Sequence, residues 1–206
     1  MSATSGSPRR PRPQQERAQQ TYDRLLEVAG ELLAEVGLDR ISTNLICARA
    51  GLTPPALYRY FKDKYAVLEA LGRRLMERQN DALEAWIARH ADDGLDAMRD
   101  AIEELLRDSA AVTAEQPGAV WILRALHATP QLVHVRVESH RYVTDRLTDA
   151  YARYLPGVDR DDLWQRVRLS VELGFAADEM LHEETRVSPA MILHQTATLL
   201  RGSLSS

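Results

Sequence analysis

The chain has 206 residues, 45% of them apolar and 27% charged, with a formal net charge of -4 at pH 7. That length suits one larger domain or two small ones with a real core, and the acidic balance excludes a globally basic nucleic-acid binder. The single cysteine, Cys47, excludes an intramolecular disulfide.

A reducing compartment fits that cysteine usage. No apolar run reaches membrane-spanning length and the N-terminus has no apolar leader. The sequence therefore predicts a soluble cytoplasmic protein without a membrane partner. Its charge is uneven. Residues 1–65 hold ten Arg/Lys against seven Asp/Glu, a balance of +3, which leaves -7 for the remainder. A mildly basic head on an acidic body suits a protein that presents one end to DNA.

Residues 1–16 are rich in Ser, Pro and Arg and cannot bury a core. They read as a disordered arm: a solvated tail, or a basic arm in which Arg9, Arg10 and Arg12 reach phosphates or the minor groove. Over 17–36, Tyr22, Leu25, Leu26, Ala29, Leu32, Leu33 and Val36 recur at helical spacing, and Gly37 ends that helix. Ser42 then caps a short helix over 42–50, whose Ile46 and Ala50 share one face, and Gly51 supplies the turn. Thr53 is predicted to cap a second short helix over 54–61. Pro54 and Pro55 sit in its first turn, where a missing N–H costs nothing. Leu57 and Phe61 face inward; Ala56, Tyr58, Arg59 and Tyr60 are left outside. This is a helix-turn-helix.

Asp63 caps a long helix that starts at Lys64 and runs past Leu68, Leu71, Leu75 and Leu83 to Trp86 and Ile87. About 25 residues at ~1.5 Å each reach almost 40 Å, enough to connect a head to a separate body. Breaks at 91–94, 115–118, 129–130, 156–157 and 188–189 divide the rest into helices over about 95–114, 120–128, 129–155, 159–184 and 189–200. No sustained alternation or hairpin turn signals a strand. The expectation is an all-α chain of nine helices, three in the head and six in the body. The predicted divisions are a disordered arm (1–16), a helix-turn-helix domain (17–66) and a ligand-binding and dimerisation domain (67–206).

From about Leu25 to Leu71 the sequence resembles the DNA-binding domain of the tetracycline-repressor (TetR) family. The matching residues are Ala34-Glu35-Val36-Gly37-Leu38, Ile46, Ala50-Gly51-Leu52-Thr53 and Leu57-Tyr58-Arg59-Tyr60-Phe61-Lys62-Asp63-Lys64. The resemblance implies DNA contacts at Thr43, Thr53, Pro54, Pro55, Ala56, Tyr58, Arg59, Tyr60 and Lys64. Arg59 suits a guanine edge, and Lys64 at a helix N-terminus suits a phosphate. Tyr58 and Tyr60 offer hydroxyls to phosphates, or pack on the core. Many family members carry Lys-Gly where this chain has Pro54-Pro55, so a cation and two backbone donors are lost there.

The resemblance further implies a homodimer on a palindromic double-stranded operator, released by a small-molecule effector. For dimerisation it points to the last two helices, with Val167, Val171, Gly174, Phe175, Leu181, Ile192 and Leu199; the same stripe would equally serve an internal core. For the effector, Trp121, Arg124, His127, Glu138 and Tyr142 are polar or aromatic residues in apolar surroundings, a mix found in pockets and in ordinary cores. His127, His134 and His140 lack the i, i+4 spacing of a helical ligand pair, so no metal is expected. No phosphate loop, nucleophile elbow or metalloprotease motif is present, so neither a cofactor nor catalysis is expected. The alternatives are a DNA-binding protein without an effector, favoured by a fully packed body, and an all-helical enzyme, which requires convergent titratable groups.

Overall fold

The connector predicted from the sequence, α4 (Lys64–His90), threads two separate apolar cores. The computed structural model describes residues 13–203, and among them the chain is all-helical. Before α4 come α1 (Pro13–Arg40), α2 (Thr43–Ala50) and α3 (Pro54–Tyr58). After it come α5 (Leu95–Asp100), α6 (Ile102–Glu115), α7 (Ala119–Ala128), α8 (Val133–Ala152), α9 (Arg160–Glu183) and α10 (Pro189–Ser203). The arm residues Arg9, Arg10 and Arg12 lie outside the described residues.

The first core joins the stripe of α1 (Leu25, Ala29, Leu32, Leu33) to Ile46 and Cys47 of α2, Leu57 of α3, and Leu68, Leu71 and Leu75 of α4. It also contains Ile122, Leu123 and Leu126 of α7, so a body helix is built into the head. The second core gathers Leu83 and Trp86 of α4 with Met98, Ile102, Leu147, Tyr151, Leu163, Val167 and Val171. Trp86 is fully buried, and its indole N–H donates to the Ala101 carbonyl at 3.0 Å. That bond satisfies the one polar atom of the largest buried side chain.

Among the described residues, ten helices replace the predicted nine. The predicted helix over 95–114 is divided at Ala101 (φ -88, ψ 3), which ends α5 and starts α6. The first helix starts at Pro13 rather than at residue 17, and Gly37 (φ 73, ψ 178) kinks it before one more turn to Arg40. The third helix stops at Tyr58 rather than at residue 61, and α8 starts at Val133 rather than at Thr129–Pro130.

Head and body meet where the turn between α6 and α7 lies against α1. A Cβ on Gly118 would fall 2.7 Å from the Gly30 carbonyl oxygen and 2.8 Å from Leu33 Cβ. A Cβ on Gly30 would fall 3.0 Å from the Pro117 carbonyl oxygen. Gly118 also has φ +73, a region that L side chains avoid. Nearby, Arg78 of α4 pairs with Glu115 at 2.7 Å, tying the end of α6 to the connector. Among the described residues, no helix is long and apolar enough to cross a membrane.

Candidate nucleic-acid interface and internal cavity

The local physics of the motif follows its punctuation. The Leu45 N–H donates to Ser42 Oγ at 3.3 Å, and Gly51 (φ 67) ends α2 in the left-handed region, its N–H donating to the Ala48 carbonyl at 3.4 Å. At the other end of the motif, the Ala66 N–H donates to Asp63 Oδ1 at 2.9 Å and fixes the start of α4. Glu35 of α1 takes both guanidinium nitrogens of Arg49 at 2.9 and 2.7 Å, and Arg24 Nε donates to the Ala50 carbonyl at 3.5 Å. The Arg49 partnership holds the Glu35 carboxyl below its ordinary range. The pair is exposed, so it serves orientation of α2 on α1 more than stability.

The outer face carries the predicted DNA-facing side chains. Tyr58 is 52% exposed, and its hydroxyl meets the Thr43 hydroxyl at 3.3 Å. Two hydroxyls from two helices thus converge at one point. Thr53, Pro54, Pro55 and Arg59 are exposed beside them, and Ala56 is half-buried. Lys64, half-buried at the first position of α4, sits 5.5 Å from the Tyr65 ring centroid.

Two residues depart from their expected roles. Thr53 holds the N-cap backbone position of α3, but its side chain makes no cap bond. The reason lies in the next residues. Pro55 has no N–H to offer, and the Ala56 N–H is taken by the Thr53 backbone carbonyl at 2.9 Å. The hydroxyl is therefore left for another acceptor or donor. Tyr60 is half-buried, with its ring 6.2 Å from Tyr22 of α1 and 6.5 Å from Phe61, so its ring packs on the head core.

The body contains one well-formed apolar cavity, with a volume of about 90 Å³. Leu83 of α4, Leu105 and Leu106 of α6, Leu147 and Tyr151 of α8, and Phe175 of α9 are among the residues of its wall. The predicted effector residues do not line it. Trp121 lies on the head–body seam, its ring 3.2 Å from where a Cβ on Gly37 would be, with the Arg124 guanidinium 4.9 Å from the ring centroid. Arg124 pairs with Glu183, His127 with Glu179 at 2.9 Å, Glu138 with Arg73 at 3.0 Å, and the Tyr142 hydroxyl donates to Glu84 at 2.8 Å. The polar mix that suggested a pocket is spent on ion pairs and hydrogen bonds between neighbouring helices at the surface. The apolar run of α6 and the inner face of α9 were the sequence signal for the real cavity, and they read as ordinary core.

The predicted dimerisation residues also divide. Val167, Val171 and Ile192 are buried within their own chain, and Gly174, Phe175 and Leu181 line the cavity. Only Leu199 points outward, with 69% of its surface exposed. The outward apolar residues of the same two helices are Leu169, Leu173 and Met180 on α9 and Met191 and Leu199 on α10.

The three histidines of the middle helices are spread. His134 meets Glu69 at 3.2 Å, and His140 Nδ1 meets Glu172 at 3.0 Å while its ring stacks on Phe175 at 3.8 Å. Burial pushes His140 down to about 4, against the pull of Glu172. Partial burial would raise Glu172, but hydrogen bonds from His140 and Arg168 hold it at about 2. His140 is therefore a neutral donor to a carboxylate at neutral pH. Among the described residues, no three His, Cys, Asp or Glu side chains converge as a metal site would require. Cys47 is buried, and burial pushes its thiol up, away from reactivity.

Comparison with known proteins agrees with the head geometry. The family model of bacterial regulatory proteins, tetR family, matches residues 25–71. An uncharacterized HTH-type transcriptional regulator of Mycobacterium tuberculosis is 28% identical over 150 residues, 72% of this chain and 74% of that protein. The tetracycline repressor protein class D of Escherichia coli is 34% identical over 67 residues, 30% of this chain and 31% of that one. A TetR-family transcriptional regulator from Streptomyces coelicolor has a similar structure, with a TM-score of 0.65 at 26% identity over 89% of this chain and 97% of that one. The tetracycline repressor matches about a third of this chain, the mycobacterial relative 72% of it, and the Streptomyces structure shares the fold over 89% of it. Residues 25–71 thus match the tetR family of bacterial regulatory proteins as a helix-turn-helix, and the chain shares the fold of TetR-family transcriptional regulators.

Proposed function

We propose that the protein is a homodimeric repressor whose two heads bind a palindromic operator and are released by a small-molecule effector in the body cavity. The observation that carries this reading is the course of α4. Its first residue, Lys64, stands at the DNA-facing surface, and fifteen residues on Gln79 begins the cavity wall that Leu83 continues. A ligand that widens the cavity must move the helix on which the head rests. An apolar cavity that holds one benzene is roughly 150 Å³, so at about 90 Å³ this one must open to admit more than a slim molecule. The effector then acts by preferring the opened state, as any such switch requires. The cavity favours this reading over an effector-independent regulator.

Thr43, Thr53, Tyr58 and Lys64 are assigned to phosphates, Arg59 to a base edge, and Pro54, Pro55 and Ala56 to close apolar contact. Tyr60 supports the others through its packing. Fluorescence anisotropy with genomic fragments, selected without bias, tests the assignment. Arg59→Ala should lower affinity for the selected operator by about 1–3 kcal/mol per half-site while changing binding to random DNA little. Tyr58→Phe should weaken both alike, as loss of a phosphate contact does. Equal effects of Arg59→Ala on every sequence would remove the base-reading role.

The proline pair gives a separate prediction. Pro54 is exposed at the first position of α3, where the family resemblance leads one to expect a lysine. Pro54→Lys should tighten binding and steepen the salt dependence by about one unit of slope per head. A slope unchanged between two salt concentrations would show that the lysine finds no phosphate.

A further inference from the structure

The cavity has one polar end, and its hydrogen bonds do not balance. Gln79 and Asp178 both line it and are 4% and 5% exposed. Thr113 Oγ1 donates to Asp178 Oδ2 at 2.8 Å, and Gln79 Nε2 lies 2.9 Å from Thr113 Oγ1 and 3.3 Å from Asp178 Oδ2. The donors of this cluster are thereby directed at one carboxylate oxygen and one hydroxyl. Asp178 Oδ1 and Gln79 Oε1 remain buried with no hydrogen-bond partner among the described residues. Two orphaned acceptors beside a largely apolar space are costly, on the order of 1–3 kcal/mol each. Burial pushes the Asp178 carboxyl up, outweighing the pull of the Thr113 hydrogen bond and of His182. The titratable neighbours are His182, one turn on, and Glu179, and neither makes a hydrogen bond to it among those described.

We infer that the cavity takes a slim lipophilic amine, whose protonated nitrogen donates to Asp178 Oδ1 and Gln79 Oε1 while its hydrocarbon lies against Leu83, Leu106 and Phe175. An ammonium brings three donors, no acceptor and a positive charge, which matches both deficits of the site. An alcohol of the same length brings one donor and no charge. A carboxylate brings only acceptors and meets a carboxylate. This inference rests on the reading of the cavity as the effector site, and it adds the chemical class.

The test compares n-hexylamine, n-hexanol and n-hexanoate on the intact protein at pH 7.5, by isothermal titration calorimetry and by release of operator DNA in anisotropy. Hexylamine should bind saturably and at least tenfold more tightly than hexanol, and hexanoate should bind most weakly. Asp178→Asn should erase the advantage of the amine while leaving hexanol binding in place. Gly174→Leu, which directs a side chain towards Leu106 across the cavity, should weaken all three; a Cβ there would already lie 3.5 Å from Leu106 Cδ2. Hexanol or hexanoate equal to hexylamine on the wild type, or binding by none of them, overturns the inference without reliance on any variant. So does an amine preference that survives Asp178→Asn. Release of DNA by hexanol as readily as by hexylamine would keep the effector site and overturn the amine class. Hexylamine binding with the stated preference but without release would uphold the amine class and remove the effector role.

Discussion

Leu169→Glu combined with Leu173→Glu is expected to turn the protein into a monomer and to lower its affinity for a palindromic operator by about a hundredfold or more. The two leucines are 64% and 47% exposed, one turn apart on the outer face of α9, and Met180 continues their row. Met191 and Leu199 of α10 add to it. An apolar row of this kind on two adjacent helices is what a helical dimer interface buries. Two glutamates facing their own symmetry copies would meet desolvation and like-charge repulsion together. The DNA loss follows from geometry: a dimer binds its second half-site as an intramolecular event, which contributes about 10²–10⁴ in affinity. Sedimentation equilibrium and anisotropy on full and half operators check it. The variant should bind a half operator as wild type does, because the head is untouched. A variant that stays dimeric would move the interface to another face.

Gly118→Ala is the second large effect, on stability rather than on DNA. A non-glycine residue in the left-handed region costs about 1–2 kcal/mol. The added methyl would also sit 2.7 Å from the Gly30 carbonyl oxygen and 2.8 Å from Leu33 Cβ. Both neighbours belong to the main chain or its first side-chain atom, so the turn must lift off α1, at a further cost of about 1–3 kcal/mol. A total of about 2–5 kcal/mol should show in denaturant melts. Gly30→Ala meets the Pro117 carbonyl at 3.0 Å without a positive φ and gains helix propensity, so it should cost clearly less. Gly157→Ala, with no atom within 4 Å, is the control that should change little. Equal melts for Gly118→Ala and Gly157→Ala would mean that the turn yields freely.

The head was legible because its instructions are local. Ser42, Gly51 and Asp63 act through hydrogen bonds and dihedral angles of their own neighbourhood, and each does in the structure what its position suggests. The Thr53 side chain makes no cap for an equally local reason, since Pro55 has no N–H and the Ala56 N–H is taken by the Thr53 carbonyl. The body was legible as helices but not as surfaces. Helix α9 carries Val167 and Val171 on one side and Leu169 and Leu173 on another, both with a spacing of four. Nothing in the spacing says which pair faces inward; that depends on where α6, α8 and α10 lie. The effector candidates depend on the same tertiary placement. Arg124, Glu138 and Tyr142 look stranded among apolar neighbours in sequence, yet each finds a partner 58 or more residues away.

The membership of α7 in the first core has a consequence for how the chain comes apart. A chain cut after residue 66 would lose Leu68, Leu71 and Leu75 together with Ile122, Leu123 and Leu126, all buried in the same cluster. The unit expected to open cooperatively is therefore α1 to α3, the first half of α4, and α7 with the start of α8 at Val135, a set discontinuous in sequence. In native-state hydrogen exchange, the amides of α7 should share the opening free energy of α1 rather than that of α9. The isolated helix-turn-helix segment should expose its apolar face, and the smallest folded reader of DNA in this chain should extend at least to Val135, the last buried residue of that cluster.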